Sequence, residues 1–408
     1  IWSRFFETLG EDVYLAKTMG KSIINGYQGN GMIDKYHVAA CLKHFVGYSV
    51  PSSGRDRTPA LIPNRSLEEL HLPTFKEAID AGALTVMINS GEVNGIPGHA
   101  NKYLLTDILK DKWGFTGFTV SDWEDLINLH KMAQTDSTLK DAIATAINAG
   151  VDMSMVPNNP EYKNYCKLFI ELVNEERISA NRLDDAVRRI LRVKSHLGLL
   201  NKTRIPFSND YTDFGSEKHK KASYNAASES ITLLKNKGLL PLSTKNKILL
   251  IGPTANSLNC LNGAWTHTWQ GVDESYNNDY PTIKDVIEDR FNKVNYFEGS
   301  KMIMKDGDEH DIPSSDLQNA VNSAKYSDVA IVCLGELPST ERPGDIFTLD
   351  LPEQQQLIVK ELSKTGIPII LVLVEGRPKI IREIEPLSDA ILQAYLPGDH
   401  GANAIVDV

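Results

Sequence analysis

Two carboxylates stand where a strand-like apolar run ends. Asp122 follows "FTGFTVS" (115–121), and Glu341 lies in "GELPSTERPGD" (335–345) just after "VAIVCLG" (329–335). In parallel α/β architectures the C-terminal ends of strands and the loops after them face the site. A carboxylate at such a place can attack a sugar C1 or move a proton. The plain alternatives are that Ser121-Asp122 caps the next helix and that Glu341 is a solvated loop side chain. Lys43 and His44 close the run "VAACLKHF" (38–45). They are suited to hydrogen-bond adjacent sugar hydroxyls, or equally to serve as a salt-bridged lysine and a core histidine. Trp123 follows Asp122 directly, and Trp265 and Trp269 sit four apart in "GAWTHTWQG". Indole faces stack on the apolar faces of sugar rings, although a spacing of four also suits ordinary packing.

These residues need elements to hold them. Residues 1–200 alternate apolar strand-like runs (38–45, 83–90, 115–123, 151–155) with helical segments. Ser66 with Glu69 reads as a capping box, Pro73 as the start of a longer helix, and 138–149 as another helix. Leu183, Ala186, Ile190, Val193 and Leu197 share one helical face. Buried strands separated by helices predict a parallel sheet covered on both faces, and the leading form is a (β/α) barrel, incomplete at its N-terminus. Residues 201–216, "NKTRIPFSNDYTDFGS", read as a polar linker. Residues 217–408 carry strands at 247–253, 329–335, 367–376 and 390–398 and helices near 314–326 and 353–365, which predicts an open α/β sandwich domain with a mostly parallel sheet.

Composition narrows the function classes. The formal net charge of -10 over 408 residues opposes a nucleic-acid partner. Neither a GxGxxG nor a GxxxxGK[ST] pattern ends a strand, which opposes nucleotide binding. No apolar run is long enough for a membrane span. Four cysteines form neither a CxxC pair nor a disulfide framework, and Cys41 and Cys333 are expected as small core residues. No metal or cofactor is expected. The sequons at Asn64 and Asn201 would count only in a secretory chain. Oligomeric state is not readable.

Taken in order, the segments resemble glycoside hydrolase family 3. "WSRFFETLGED", "CLKHFVGY", "VMINSGEVNGIPGHAN", "FTVSDWEDL" and "DDAVRRILRVKSHLGLL" are similar to its first domain. "SITLLKNKGLLPL" and "LPGDHGANAIVDV" are similar to its second, and "GAWTHTWQG" and "GELPSTERPGD" are similar to the branch of lysosomal β-glucosidases and two-domain exo-glucanases. The resemblance implies Asp122 as nucleophile and Glu341 as acid/base; if Glu341 is only a loop carboxylate, Glu92 and Glu336 are the next candidates. It implies that Arg4, Lys43 and His44 contact hydroxyls of the sugar being cleaved, and that Trp123 and Trp269 clamp the following sugar. Ser90 and Ser339 stand where many members carry tyrosines. It further implies opening barrel strands and a sugar-binding aspartate before Ile1, and the rest of the second domain after Val408. The 408 residues by themselves are then expected to be unstable or weakly active.

The function so implied is release of β-linked glucose from non-reducing ends with retention. The two carboxyl groups would approach to roughly 5–5.5 Å in a cleft between the domains. β-Xylosidase or another exo-glycosidase activity of the family is an alternative. The glucosaminidase branch carries a histidine after its KHF segment that "VGYSVPSSGRDR" lacks. A catalytically inactive fragment or binding module is the competing class. A lysosomal or secreted location is what family habit implies.

Overall fold

The computed structural model describes residues 1–29, 34, 36–158, 160–200, 211–271, 275, 279–305 and 308–408. Most of the expected linker, 201–210 with the sequon Asn201, lies outside these residues. The chain divides into two compact units: Glu7–Pro206, and Ile1–Phe6 together with Phe207–Val408. By their contacts the first six residues, including Arg4, group with the second block.

In the unit Glu7–Pro206, three parallel strands pair in chain order: β1 (Cys41–Phe45), β2 (Thr85–Ile88) and β3 (Phe118–Val120). Val120 continues the arc through a parallel bridge to Met153. Parallel neighbours in sequence order with helices between them are the wiring of a (β/α) barrel segment. The expected strand 151–155 is reduced to that single bridge. Helices Leu139–Ala149, capped by Thr138, and Ala180–His196, capped by Ser179, form where the sequence placed them. The expected capping box at Ser66 does not form. The helical stretch already begins at Asn64, and Ser66 is inside it with helical φ/ψ and no cap bond. Cys41 is exposed rather than core, because β1 pairs on one side only among the described strands and alternate residues face outward.

The other unit is built on a six-stranded sheet. Its strands are β4 (Thr232–Asn236), β5 (Ile248–Ile251), β6 (Val294–Phe297), β7 (Val329–Gly335), β8 (Ile369–Val374) and β9 (Ala390–Gln393), in the order β4-β9-β8-β7-β5-β6. Every pairing is parallel except that of edge strand β4 with β9. The central strands are apolar at every position because both faces are covered. Leu250, Ile331, Cys333 and Val372 pack into one core, and Leu249, Ile251, Val332 and Leu371 into another. This is the expected open α/β sandwich.

Candidate functional site

Asp122 lies two residues beyond β3, and its backbone is pinned from several sides. Ser121 N–H donates to the Met153 carbonyl, Met155 N–H donates to Ser121 Oγ at 2.8 Å, and Glu124 N–H donates to the Met155 carbonyl. Glu124 takes a left-handed conformation, φ 56°, which turns the chain sharply into the helix Asp125–Lys131. Ser121-Asp122 therefore does not cap that helix.

The carboxylate is buried among donors from four elements. Ser90 Oγ–H donates to Oδ2 at 2.9 Å, and His44 Nε2 lies 3.3 Å from the same oxygen. Trp123 N–H donates to Oδ1 at 2.6 Å, and Arg57 Nη2 stands 3.6 Å from it. Burial by itself would raise the Asp122 carboxyl, but the His44 and Arg57 charges and the two hydrogen bonds outweigh it and hold the group below the usual carboxylate range. Ser90 thus supplies a hydroxyl to Asp122 directly.

Behind Asp122 is a second layer that sequence reasoning did not single out. Asp122 N–H donates to His99 Nε2 at 3.3 Å. That nitrogen must therefore be the unprotonated one, which places the ring proton on Nδ1, facing Asp125 Oδ2 at 3.7 Å. Burial pushes His99 down, towards its neutral form, and pushes the Asp125 carboxyl up. Arg57 Nη1 donates to Asp125 Oδ1 at 3.2 Å, and Asn128 Nδ2 donates to the same oxygen at 2.9 Å. The turn Gly98–Ala100 that carries His99 needs glycine at 98, since a Cβ there would lie 2.3 Å from the Asn89 carbonyl. The sequence holds one local trace of this layer, the i, i+3 acid pair Asp122 and Asp125 of "SDWED".

Of the other expected residues in this unit, His44 is buried with its ring edge-on to Tyr48, 4.7 Å between centroids. Lys43 is partly exposed, with Nζ 3.8 Å from Glu7 Oε2. Trp123 is 50% exposed.

Glu341 belongs to the unit of Ile1–Phe6 and Phe207–Val408, as do Arg4 and Trp269. Its backbone is at φ 53°, ψ -157°, starting the turn Arg342–Gly344. Arg4, almost fully buried, donates from Nη1 to Glu341 Oε1 at 3.3 Å. Gln270 clasps the preceding residue through a reciprocal amide pair: Thr340 N–H donates to Gln270 Oε1 at 3.0 Å, and Gln270 Nε2 donates to the Thr340 carbonyl at 3.2 Å. The neighbour of this clasp, Trp269, is 47% exposed. Ser3 N–H donates to Asp345 Oδ1 at 3.1 Å.

The base of this loop is ionic. Arg377, at the end of β8, donates from Nη1 to the Gly344 carbonyl at 2.6 Å and from Nη2 to Glu336 Oε2 at 2.8 Å. Lys379 Nζ lies 3.2 Å from the same oxygen. Burial would raise Glu336, but both cations outweigh it and keep the carboxyl low. Glu336 is thus an anchor held ionised, unsuited to giving up a proton. Ser339 Oγ accepts from Arg377 Nη2 at 3.4 Å, a framework contact. Glu92 lies in a two-residue strand paired with Ile96–Pro97.

No helix among the described residues is long and apolar enough to cross a membrane. Compared with known proteins, the chain is 39% identical to a lysosomal β-glucosidase of Dictyostelium discoideum, over 100% of this chain and 51% of that protein. It is 32% identical to a periplasmic β-glucosidase of Salmonella typhimurium, over 100% of this chain and 55% of that one. The crystal structure of a β-glucosidase from Listeria innocua with gluconolactone superposes with a TM-score of 0.89 at 30% identity, covering 100% of this chain and 54% of that one. The chain therefore spans about half the length of the relatives it matches. The pattern of the glycosyl hydrolase family 3 N-terminal domain covers residues 1–193 and that of the C-terminal domain residues 231–408, and this chain belongs to glycosyl hydrolase family 3.

Proposed function

We propose that this chain carries the catalytic residues of a retaining β-glucosidase acting at the non-reducing ends of β-glucosides or β-glucan oligosaccharides. The observation that carries the reading is Asp122 at a strand end, kept ionised by His44 and Arg57 and hydrogen-bonded on both oxygens. A nucleophilic carboxylate has to be charged and fixed in orientation before substrate arrives.

In this mechanism Asp122 attacks C1 of the glucosyl unit while Glu341 gives its proton to the departing glycosidic oxygen. A glycosyl ester with inverted C1 results. Glu341, now a carboxylate, takes a proton from water, whose oxygen attacks C1 and frees Asp122. The two inversions restore the β configuration. Arg4, Lys43 and His44 bind hydroxyls of the bound sugar, and Trp123 and Trp269 stack against the next one. No cofactor takes part. The names of the lysosomal and periplasmic relatives support a lysosomal or extracytoplasmic location.

The direct test is NMR of the first sugar released from a β-glucoside. β-Glucose should appear first and mutarotate afterwards. Initial α-glucose would rule out this assignment of Asp122.

A further inference from the structure

The nucleophile has a cation beside it that does not close on it. Guanidinium and carboxylate groups normally join through short, often paired, hydrogen bonds of about 2.7–2.9 Å. Arg57 instead stands 3.6 Å from Asp122 Oδ1, outside hydrogen-bond range, while it donates to Asp125 Oδ1 at 3.2 Å. Arg57 is mostly buried and its own backbone is left-handed, φ 58°. Asp125 is in turn fixed by Asn128 Nδ2 at 2.9 Å and faces His99 Nδ1 at 3.7 Å. Its carboxyl makes no hydrogen bond to that of Asp122, and acts on it directly as a neighbouring carboxyl and indirectly through Arg57 and His99, which face both groups.

This arrangement has a chemical consequence. On Asp122, Oδ2 accepts from Ser90 and meets His44, whereas Oδ1 accepts from Trp123 N–H and has Arg57 at a distance. If Arg57 closed onto Oδ1, a charge-assisted bond would occupy a further lone pair and withdraw electron density from the group that attacks. We infer that Asp125 is a positioning residue that holds Arg57 off the nucleophile, close enough to keep Asp122 charged and too far to mask it. The inference rests on the reading of Asp122 as nucleophile and goes beyond it.

The groups that bear on the Asp122 charge are His44 and Cys41 from β1, Arg57 from the loop after it, His99 from the turn Gly98–Ala100 and Asp125 from the following helix, with Lys43 of β1 beside Cys41. The test changes two of them, singly and together. Asp122 titration is followed by carbon-13 carboxyl NMR in the free protein, and the glycosylation rate is measured with a dinitrophenyl β-glucoside. In Asp125→Ala, Arg57 collapses onto Asp122. Asp122 should then titrate about 1 pH unit lower, yet glycosylation should slow by roughly 10–100-fold.

In Arg57→Gln the titration should move upward. The double variant Arg57→Gln/Asp125→Ala should be roughly 5-fold or more faster than Asp125→Ala, because the masking group is gone. A merely structural Asp125 gives no such recovery. Asp125→Asn preserves volume and one acceptor for Arg57, and should shift Asp122 in the same direction by less. It replaces the alanine variant, with and without Arg57→Gln, if the latter does not fold. A double variant no faster than its Asp125 parent, or an Asp122 titration unmoved or raised by loss of Asp125, overturns the inference. The NMR readout needs no turnover, so a wild-type protein inert towards β-glucosides would remove the glucosidase reading while the titration still decides the restraint.

Discussion

The surroundings of Asp122 and of Glu341 solve different problems. Asp122 is gripped at the carboxylate itself, by side chains and a backbone N–H converging from β1, the end of β2, the loop carrying Arg57 and its own turn. Glu341 is held through its loop: Gln270 clasps Thr340, Arg377 clasps Gly344, and Asp345 binds the backbone of Ser3, while the carboxylate meets Arg4. Its backbone, in a region disfavoured for any residue with a Cβ, costs on the order of 1–3 kcal/mol that this scaffold must offset. A group that stays charged and attacks needs fixed orientation. A group that is protonated in one step and deprotonated in the next needs a fixed position from which its proton can leave and return.

The largest effect that could break this contrast is catalytic. Asp122→Asn should lower turnover of every glucoside by on the order of 10⁵-fold, because no nucleophile remains. Glu341→Gln should slow unactivated alkyl glucosides by about 10²–10⁴-fold and spare dinitrophenyl glucosides in the first step, since their leaving group needs little protonation. Steady-state and burst kinetics on both substrate classes would check this. Equal losses on both classes for Glu341→Gln would make Glu341 an ordinary loop carboxylate.

The second prediction concerns the scaffold under Glu341. Arg377→Met leaves Glu336 buried with half its cationic partners and frees the Gly344 carbonyl. Removing one member of a buried ion pair costs about 3–5 kcal/mol. The urea midpoint should fall accordingly, and activity on unactivated glucosides should fall more than activity on dinitrophenyl glucosides. Asp122, in the other unit, should titrate as before. A variant equally stable and active would show that Glu341 does not depend on this ionic base.

Much of the fold was legible because its signals are local. The runs "VAIVCLG" and "IPIILVLVEG" are apolar at successive positions, short, rich in β-branched residues and bounded by glycine, which suits a strand covered on both faces, so β7 and β8 could be placed from sequence. The edge strand β4 was missed because "TLLKN" is half exposed and its leucines point outward. At the site, Asp122, His44 and Trp123 lie together because they flank strand ends that pair in chain order. Arg57, His99 and Asp125 were not readable as partners. Nothing local distinguishes an arginine in "SGRDR" that reaches a buried aspartate 68 positions away, and only the folded arc makes them neighbours. The placement of Arg4 with Glu341 is likewise a long-range fact, 337 residues apart.

The smallest predicted effect sharpens the comparison through a buried acid that each region keeps beside its ion pair. Asp125 is tied to Arg57 and Asn128. Its counterpart Glu375, at the end of β8, accepts from Lys379 N–H at 2.9 Å through Oε1, while Oε2 is buried without a hydrogen-bond partner. Burial pushes the Glu375 carboxyl up to about 7, against an ordinary value of 4.5. Because the folded state binds this proton more tightly than the unfolded chain does, the contribution of Glu375 to stability is full below the unfolded value, declines as pH rises through the interval up to about 7, and is flat above it. Each tenfold difference in proton affinity between the folded and unfolded chain is worth about 1.4 kcal/mol, so the loss is on the order of 3 kcal/mol. Glu375→Gln keeps the carbonyl that accepts from Lys379 and removes the titration. Urea unfolding at pH 5 and pH 8 should show the wild type losing more stability than the variant between the two, with the variant the more stable at pH 8. Parallel pH dependence in the two proteins would mean that Glu375 is already ionised in the folded state, and that the ionic base under Glu341 carries its charges as fully as the surroundings of Asp122 do.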